Sequence, residues 1–335
     1  MPEPIMPDEI DLAIFHALEI SPRASWTRVG AAVGIDPATA ARRWEAMRES
    51  GRAYVTSYPL LTRETNAAFI SVRCGADRVR SVATAIAEDA HAVYVDIVSG
   101  GSDILVLAGA ASSAALAAFV LDRLPDIAGV DAVVSQPVVA VHVESGFAAP
   151  GVLPRGAREL LKGDRRGTLR PSVGRVDDLD WLICLELSRD GRASVADIAR
   201  ATGASSSTVA RRLSRLVTEG ALRVRAKLVP SARPRSPVVW LGMRVPPAAV
   251  SETVRDIARL TGVNNVSLVA GAHNLLTKVT LPHLAALEAF EAKIHQSNPD
   301  ILVASRRVVL EQVRHLSRIF DARGDVAQIV SIDHR

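Results

Sequence analysis

Residues 11–55, DLAIFHALEISPRASWTRVGAAVGIDPATAARRWEAMRESGRAYV, return as residues 180–224, DWLICLELSRDGRASVADIARATGASSSTVARRLSRLVTEGALRV, at a constant shift of 169. About 14 of the 45 aligned positions are identical. Arg23, Ala24, Ser25, Gly34, Thr39, Ala41, Arg42, Arg43 and Gly51 meet Arg192, Ala193, Ser194, Gly203, Thr208, Ala210, Arg211, Arg212 and Gly220. A repeat of this length is a domain, not a solenoid turn. Further on the likeness fades but the layout persists, with Gly100 answering Gly271 at a shift of 171.

Within each copy the apolar spacing predicts three helices. Ile10, Ile14, Ala17 and Leu18, and then Leu179, Ile183, Glu186 and Leu187, mark the first of them, with Glu186 at the edge of its face. The second is predicted over 25–33 and 194–202, opened by a capping serine and closed by Gly34 or Gly203, where the turn requires positive φ. Asp36 with Pro37, or Ser205, then caps the third. A short helix, a glycine turn and a capped helix form a helix-turn-helix, which projects its last helix into a DNA major groove.

On that third helix Ala40, Trp44 and Met47, matched by Val209, Leu213 and Leu216, form the buried stripe. The other face offers Thr39, Arg42 and Arg43 in copy one, and Ser206, Ser207, Thr208, Arg211, Arg212 and Arg215 in copy two. Hydroxyls and guanidinium groups suit phosphates and base edges, so these nine side chains are the candidate contacts to double-stranded DNA. A solvated helix face is the plain reading of any one arginine pair, but the pair recurs after the same turn and cap. Alternating stretches at 53–58 and 222–228 read as wings, with Arg223, Arg225 and Lys227 able to approach phosphates.

Composition narrows the setting. Aromatics are 4% of residues and the net charge is +4, so small aliphatic cores and a mildly basic surface are expected. The segment 151–176 carries seven Arg or Lys against Glu159 and Asp164, and its Pro and Gly content favours an exposed, irregular linker. Cys74 and Cys184 have no paired spacing, which argues against a disulfide framework and fits a reducing cytoplasm. The beginning of the chain, with Glu3, Asp8, Glu9 and Asp11, does not resemble a signal peptide. The charge-free run 104–121 reads as a strand followed by a helix capped at Ser112 or Ser113, not as a membrane span.

After each reader, strands and helices alternate. The first half gives 68–73, 78–88, 92–98, 103–107, 113–124 and 130–142; the second gives 238–244, 250–260, 263–269, 274–280, 283–296 and 301–310. Both are β-α-β-β-α-β, the split ferredoxin-like pattern, whose bare apolar sheet face seeks a partner sheet. The fold class is therefore α+β, two winged helix-turn-helix domains and two ferredoxin-like effector domains in tandem. The expected boundaries are reader 1–60, effector 64–144, basic linker 145–175, reader 176–230, effector 236–320 and tail 321–335.

This order resembles the Lrp/AsnC family of feast-or-famine transcription regulators over about 8–143 and 176–316. The family's helix pattern is met by Val209, Arg212, Leu213, Leu216 and Gly220, and more loosely by Ala40, Arg43, Trp44, Met47 and Gly51. The resemblance implies a sequence-specific DNA-binding regulator that answers to an amino acid or related metabolite. It also implies homo-oligomers formed through effector-domain sheets. The family's Gly-x-Tyr-Asp turn corresponds to Gly100, Gly101, Ser102 and Asp103, and to Gly271, Ala272, His273 and Asn274, the expected effector contacts. Neither copy keeps the tyrosine. Asp103 and Asn274 are where the copies are expected to differ in ligand sensing.

Enzyme motifs are lacking: no dinucleotide or phosphate-loop glycine pattern and no zinc-protease helix occurs. No catalytic residue, cofactor or metal is assigned, and His16, His142 and His315 have no partner at metal spacing. The alternative is an enzyme resembling siroheme decarboxylase, in which His91 and His273 would serve a tetrapyrrole acid. The Tyr-Asn-x-Trp-Phe type of strand expected there is missing around Asp103 and Asn274.

Overall fold

The computed structural model describes residues 7–59, 66–144, 153–161, 176–233 and 236–332. The first reader is α1 (Glu9–Ile20), α2 (Trp26–Val33), α3 (Pro37–Glu49) and β1 (Ala53–Pro59). The first effector half follows as β2 (Asn66–Cys74), α4 (Val79–Glu88), β3 (Ala92–Val98), β4 (Ile104–Ala110), α5 (Ser113–Ala118) and β5 (Val130–Glu144). A short α6 (Arg155–Leu161) precedes the second reader, α7 (Asp178–Arg189), α8 (Val195–Thr202), α9 (Ser206–Thr218) and β6 (Leu222–Leu228). The second effector half is β7 (Val238–Arg244), α10 (Val250–Arg259), β8 (Val263–Val269), β9 (Leu275–Thr280), α11 (Ala286–Ser297) and β10 (Leu302–His315), with β11 (Arg318–Phe320) and β12 (Val326–Ile329) after it.

Two compact units result, and each takes one part from each repeat. The first unit is Met1–Thr62 with Ala148–Arg233; the second is Arg63–Phe147 with Pro234–Arg335.

In the first unit the strands expected as wings do something else. β1 pairs antiparallel with β6, and Thr56 lies opposite Arg225, its own repeat equivalent, so the two readers join about a local two-fold. Arginines repeat the symmetry. Arg23 donates to the carbonyls of Gly191 and Ala193 at 2.6 and 2.9 Å, while Arg192 donates to those of Pro22 and Ala24 at 2.7 and 3.0 Å. Burial, with Arg23 close by, pushes Arg192 down to about 10, and its guanidinium stacks on Trp26. Gly191 donates its N–H to the Val55 carbonyl at 2.8 Å, and a Cβ there would meet the Val55 Cγ1 at 2.5 Å. This close approach of backbones requires glycine.

Part of the expected linker is helical. α6 inserts Leu161, with Leu153 just before it, into the first reader's core beside Ile14, Leu18 and Val29. Arg158, one of the basic residues expected to be solvated, donates to the Leu153 carbonyl at 2.9 Å, and Arg28 donates to that of Leu160 at 3.0 Å. The apolar positions 153, 157 and 161 recur at helical spacing and outweigh the Pro and Gly around them. Arg155 is exposed at the start of α6, and the remaining basic residues of the linker, Lys162, Arg165, Arg166, Arg170 and Arg175, lie outside the described residues.

In the second unit the strand order is β12-β11-β10-β3-β4-β2-β5-β8-β9-β7, and β10 also pairs with β7. Eight strands thereby close into a ring. The first part of β5 pairs with β2 and its later part with β8; β10 pairs first with β7 and then with β3. Each long strand thus leaves its own sheet for the other repeat's sheet. The pairing of the two effector sheets is thus made inside this chain.

Helices cover the outer faces, with Ile70, Val82, Ile86 and Val106 in one core and Leu241, Val254, Ile257 and Val279 in the other. Each such side chain contributes roughly 1.5–3 kcal/mol when fully buried. Phe69 and Trp240, equivalent at the 171 shift, meet edge to face at 5.2 Å. Beside them the buried Asp96 carboxylate accepts from Lys278 Nζ at 2.8 Å and Trp240 Nε1 at 3.0 Å.

The expected tail is also structured. β12 pairs with β11, and β11 with β10. Buried Arg314 holds this end by donating to the carbonyls of Leu316 and Ala87 at 2.8 and 2.7 Å.

Candidate nucleic-acid interface

Each recognition helix is set by its cap. Asp36 accepts from the backbone N–H of Ala38 at 2.8 Å and of Thr39 at 3.3 Å; Ser205 accepts from that of Thr208 at 3.2 Å. Gly34 and Gly203 sit at φ 82° and 70°, the left-handed turn that lets α2 and α8 stop and the next helix start. Burying Ala40, Trp44 and Met47, and Val209, Leu213 and Leu216, fixes which face of α3 and α9 stays outside.

Arg42 and Arg211 are exposed at equivalent positions of that outer face, and neither has an ion-pair or hydrogen-bond partner among the described residues. Ser206 and Ser207 are exposed, Thr39 and Thr208 half-buried. The Ser205 hydroxyl joins those of Ser207 and Thr208, at 3.0 and 2.9 Å, into one cap network.

Arg43, Arg212 and Arg215 are engaged differently. Arg43 donates to Asp8 at 2.8 Å and Asp11 at 3.0 Å; Arg212 donates to Asp177 at 2.5 Å and Asp180 at 3.0 Å. Arg215 pairs with Asp180 as well. Asp8 and Asp11, like Asp177 and Asp180, form the capping box of α1 or α7, so these arginines tie the recognition helix to the first helix. This pairing with carboxylates was not among the expectations for these three side chains. A signal for it was present: in both copies the arginine follows its two aspartates by 35 and 32 residues.

The Asp11 backbone N–H, then Arg43, hold Asp8 below the ordinary carboxylate value; Arg212, then the Asp180 N–H, do so for Asp177. Because both are lowered, their contribution to stability is fully present above the ordinary value of 3.8 and is lost as pH falls below it. Replacing Arg212 by alanine is expected to lower the melting temperature, because Asp180, wholly buried, loses one of its two cationic partners. Arg211→Ala is expected to leave it within about 1 °C, as surface changes without partners do. Paired thermal scans check this, and equal shifts would contradict the division of labour.

The effector turns are structural at the aspartate position. Asp103 accepts the Cys74 N–H at 3.0 Å; Asn274 accepts the Val245 N–H at 2.9 Å and donates to the Val245 carbonyl at 2.8 Å. Cys74 and Val245 are themselves equivalent at the 171 shift, so the Asp-to-Asn difference preserves one staple and both residues hold their turns. Gly100, at φ 98°, packs against the Arg306 carbonyl, and Gly271 against the Gln136 amide. Ser99 donates to the Val308 carbonyl at 2.9 Å, and Ala270 to that of Pro137 at 2.8 Å. Each turn is thus pinned to the other repeat's last strand. Gly101 and Ala272 belong to the same turns, while Ser102 and His273 are buried.

Both cysteines are buried, and burial pushes the Cys184 thiol up to about 12, which leaves no activated thiolate there. Among the described residues no helix is long and apolar enough to cross a membrane.

Comparison with known proteins places this geometry. The AsnC-type helix-turn-helix domain matches residues 8–48 and 176–217, and the Lrp/AsnC ligand binding domain matches 67–146. An uncharacterized HTH-type transcriptional regulator of Pyrococcus abyssi is 34% identical over 117 residues, covering 35% of this chain and 74% of that protein. The chain belongs to the Lrp/AsnC family. A second relative, an uncharacterized HTH-type transcriptional regulator of Pyrococcus horikoshii, is 34% identical over 116 residues, 34% of this chain and 73% of its own. Among solved structures, siroheme decarboxylase NirDL superposes at a TM-score of 0.57 over 92% of this chain and 93% of its own, at 13% identity. At that identity the likeness shows that this Lrp/AsnC chain and the enzyme share a fold.

Proposed function

We propose that this chain is a sequence-specific DNA-binding transcriptional regulator that carries two linked reading heads and responds to a small metabolite bound in its effector unit. The observation that carries the reading is the pair Arg42 and Arg211, exposed and unpartnered on the outer faces of two capped recognition helices. Thr39, Ser206, Ser207 and Thr208 supply hydroxyls at the helix starts, where phosphates bind. Such a regulator works in the cytoplasm. Its homo-oligomers would use Val139 and Leu310, equivalent residues left exposed on β5 and β10, since the eight strands of the ring are already paired with one another within the chain.

The siroheme decarboxylase reading is supported only by shared fold. His91 is engaged by Asp89 at 2.8 Å and stacks on Phe119, and His273 packs against Gly242. The test is affinity for the chain's own upstream DNA across a salt series. Nanomolar to micromolar binding that weakens steeply with salt is expected; tetrapyrrole decarboxylation without salt-dependent DNA binding would overturn the proposal.

A further inference from the structure

His273, Ser305 and Arg307 lie on the face of the second effector sheet that carries Trp240. They sit around a glycine: a Cβ on Gly242 would lie 2.8 Å from His273 Cε1 and would collide with the Ser305 hydroxyl. Across β7 and β10, Ser305 is opposite Gly242 and Arg307 is opposite Trp240. His273 is only 5% exposed.

Their polar atoms are left without partners. His273 Nε2, Ser305 Oγ, and Arg307 Nε and Nη1 are shielded from solvent and make no hydrogen bond among the described residues. Buried donors cost free energy unless they are paired, and a guanidinium costs most. Burial depresses Arg307, and no carboxylate acts to offset it. Burial, then Arg307 and Arg244, push His273 down to about 4, so the charges that face the imidazole are both cationic. The carboxylate of Asp96 is already taken by Lys278, Trp240 and Gln312. Four orphaned buried atoms with cationic neighbours call for an anionic acceptor.

The first repeat is not built this way. At the 171 shift, Gly242, His273, Ser305 and Arg307 correspond to Ser71, Ser102, Val134 and Gln136. These are neutral, Val134 is exposed, and Gln136 packs on Gly271.

We infer that the second repeat alone holds an anion site, in which Arg307, His273, Ser305 and Arg244 bind a small dicarboxylate, one per chain. Two guanidinium groups flank the imidazole, which matches two carboxylates. The Asp96 carboxylate is already engaged, and among the described residues no other carboxylate acts on His273 or Arg307 to take an α-ammonium, which selects against an amino acid. That such a ligand is a regulatory effector rests on the metabolite-sensing reading above; that it binds does not.

Calorimetric titration of the full chain with succinate and glutarate tests this, with methionine and inorganic phosphate as comparators. One dicarboxylate per chain is expected, with methionine and phosphate at least about 10-fold weaker. Arg307→Gln should weaken succinate binding at least about 10-fold, while Gln136→Ala should not change it. The His273 ring resonance of the unmodified chain should also shift on saturation, a readout that needs no variant to fold. Two sites per chain, equal binding of phosphate, no binding of either dicarboxylate, or an unmoved His273 signal would overturn the inference. DNA affinity is measured alongside. Succinate binding with unchanged DNA affinity sinks the sensing reading and keeps the site; intact DNA binding without dicarboxylate binding sinks the site and keeps the regulator.

Discussion

Replacing Lys278 by methionine is expected to lower the melting temperature of the second unit by about 6 to 12 °C, the equivalent of about 3 kcal/mol in a domain of this size. Asp96 is 1% exposed, and its Oδ2 takes Lys278 Nζ at 2.8 Å and Trp240 Nε1 at 3.0 Å. The lysine also lies over the Trp240 ring at 5.0 Å and the Tyr94 ring at 5.8 Å. Methionine keeps most of the apolar stem and removes the charge, so the loss isolates the ion pair from packing. What remains to Asp96 is one indole N–H and a long contact from Gln312 at 3.4 Å. Adding Asp96→Asn is expected to restore more than half of the loss, because a neutral amide oxygen can still accept from Trp240. A shift under about 2 °C, or no recovery in the double variant, would contradict this account of the inner face.

Removing both outer guanidinium groups, with Arg42→Ala and Arg211→Ala together, is expected to weaken DNA binding at least about 100-fold at fixed salt. Each single change is expected to cost about 10-fold, since one phosphate or base contact is worth roughly 1–3 kcal/mol. The two losses compound because both heads belong to one chain and engage one DNA molecule. Thermal stability should not move, since neither arginine has a partner to lose. If the two contact phosphates, the slope of log affinity against log salt should also fall by about one for each. A double variant that melts normally and binds within threefold of the parent would remove this face from the interface.

Much of this was legible before any coordinates. The caps at Ser25, Asp36, Ser194 and Ser205 and the turns at Gly34 and Gly203 are local signals, each set by a few neighbouring residues. The β-α-β-β-α-β order of both effector halves followed from alternation and turn residues in the same way. The register between the repeats was not legible. The register that sets Thr56 opposite Arg225 depends on two segments far apart in sequence, and alternation alone suits a wing equally well. α6 was hidden by the Pro and Gly around it.

Only part of the arrangement on the third helices was legible. Arg42 and Arg43 are neighbours in sequence, yet one faces outward and the other reaches Asp8 and Asp11. Residue type alone does not separate them; the repeated 35-residue spacing to a capping aspartate does. In the effector turns the difference between Asp103 and Asn274 drew attention, whereas both residues staple a strand end. The larger chemical difference lies at Gln136 and Arg307, on the last strand of each half, far from any turn motif.

The most direct test of two linked reading heads in one chain is to map the sites the purified protein selects from genomic DNA and to footprint the strongest of them. Two inverted half-sites are expected, their centres about one helical turn, roughly 10 base pairs, or a multiple of it apart, both protected at the same protein concentration. No selected sequence, or a single half-site protected alone with no change when Arg42 is replaced, would contradict it.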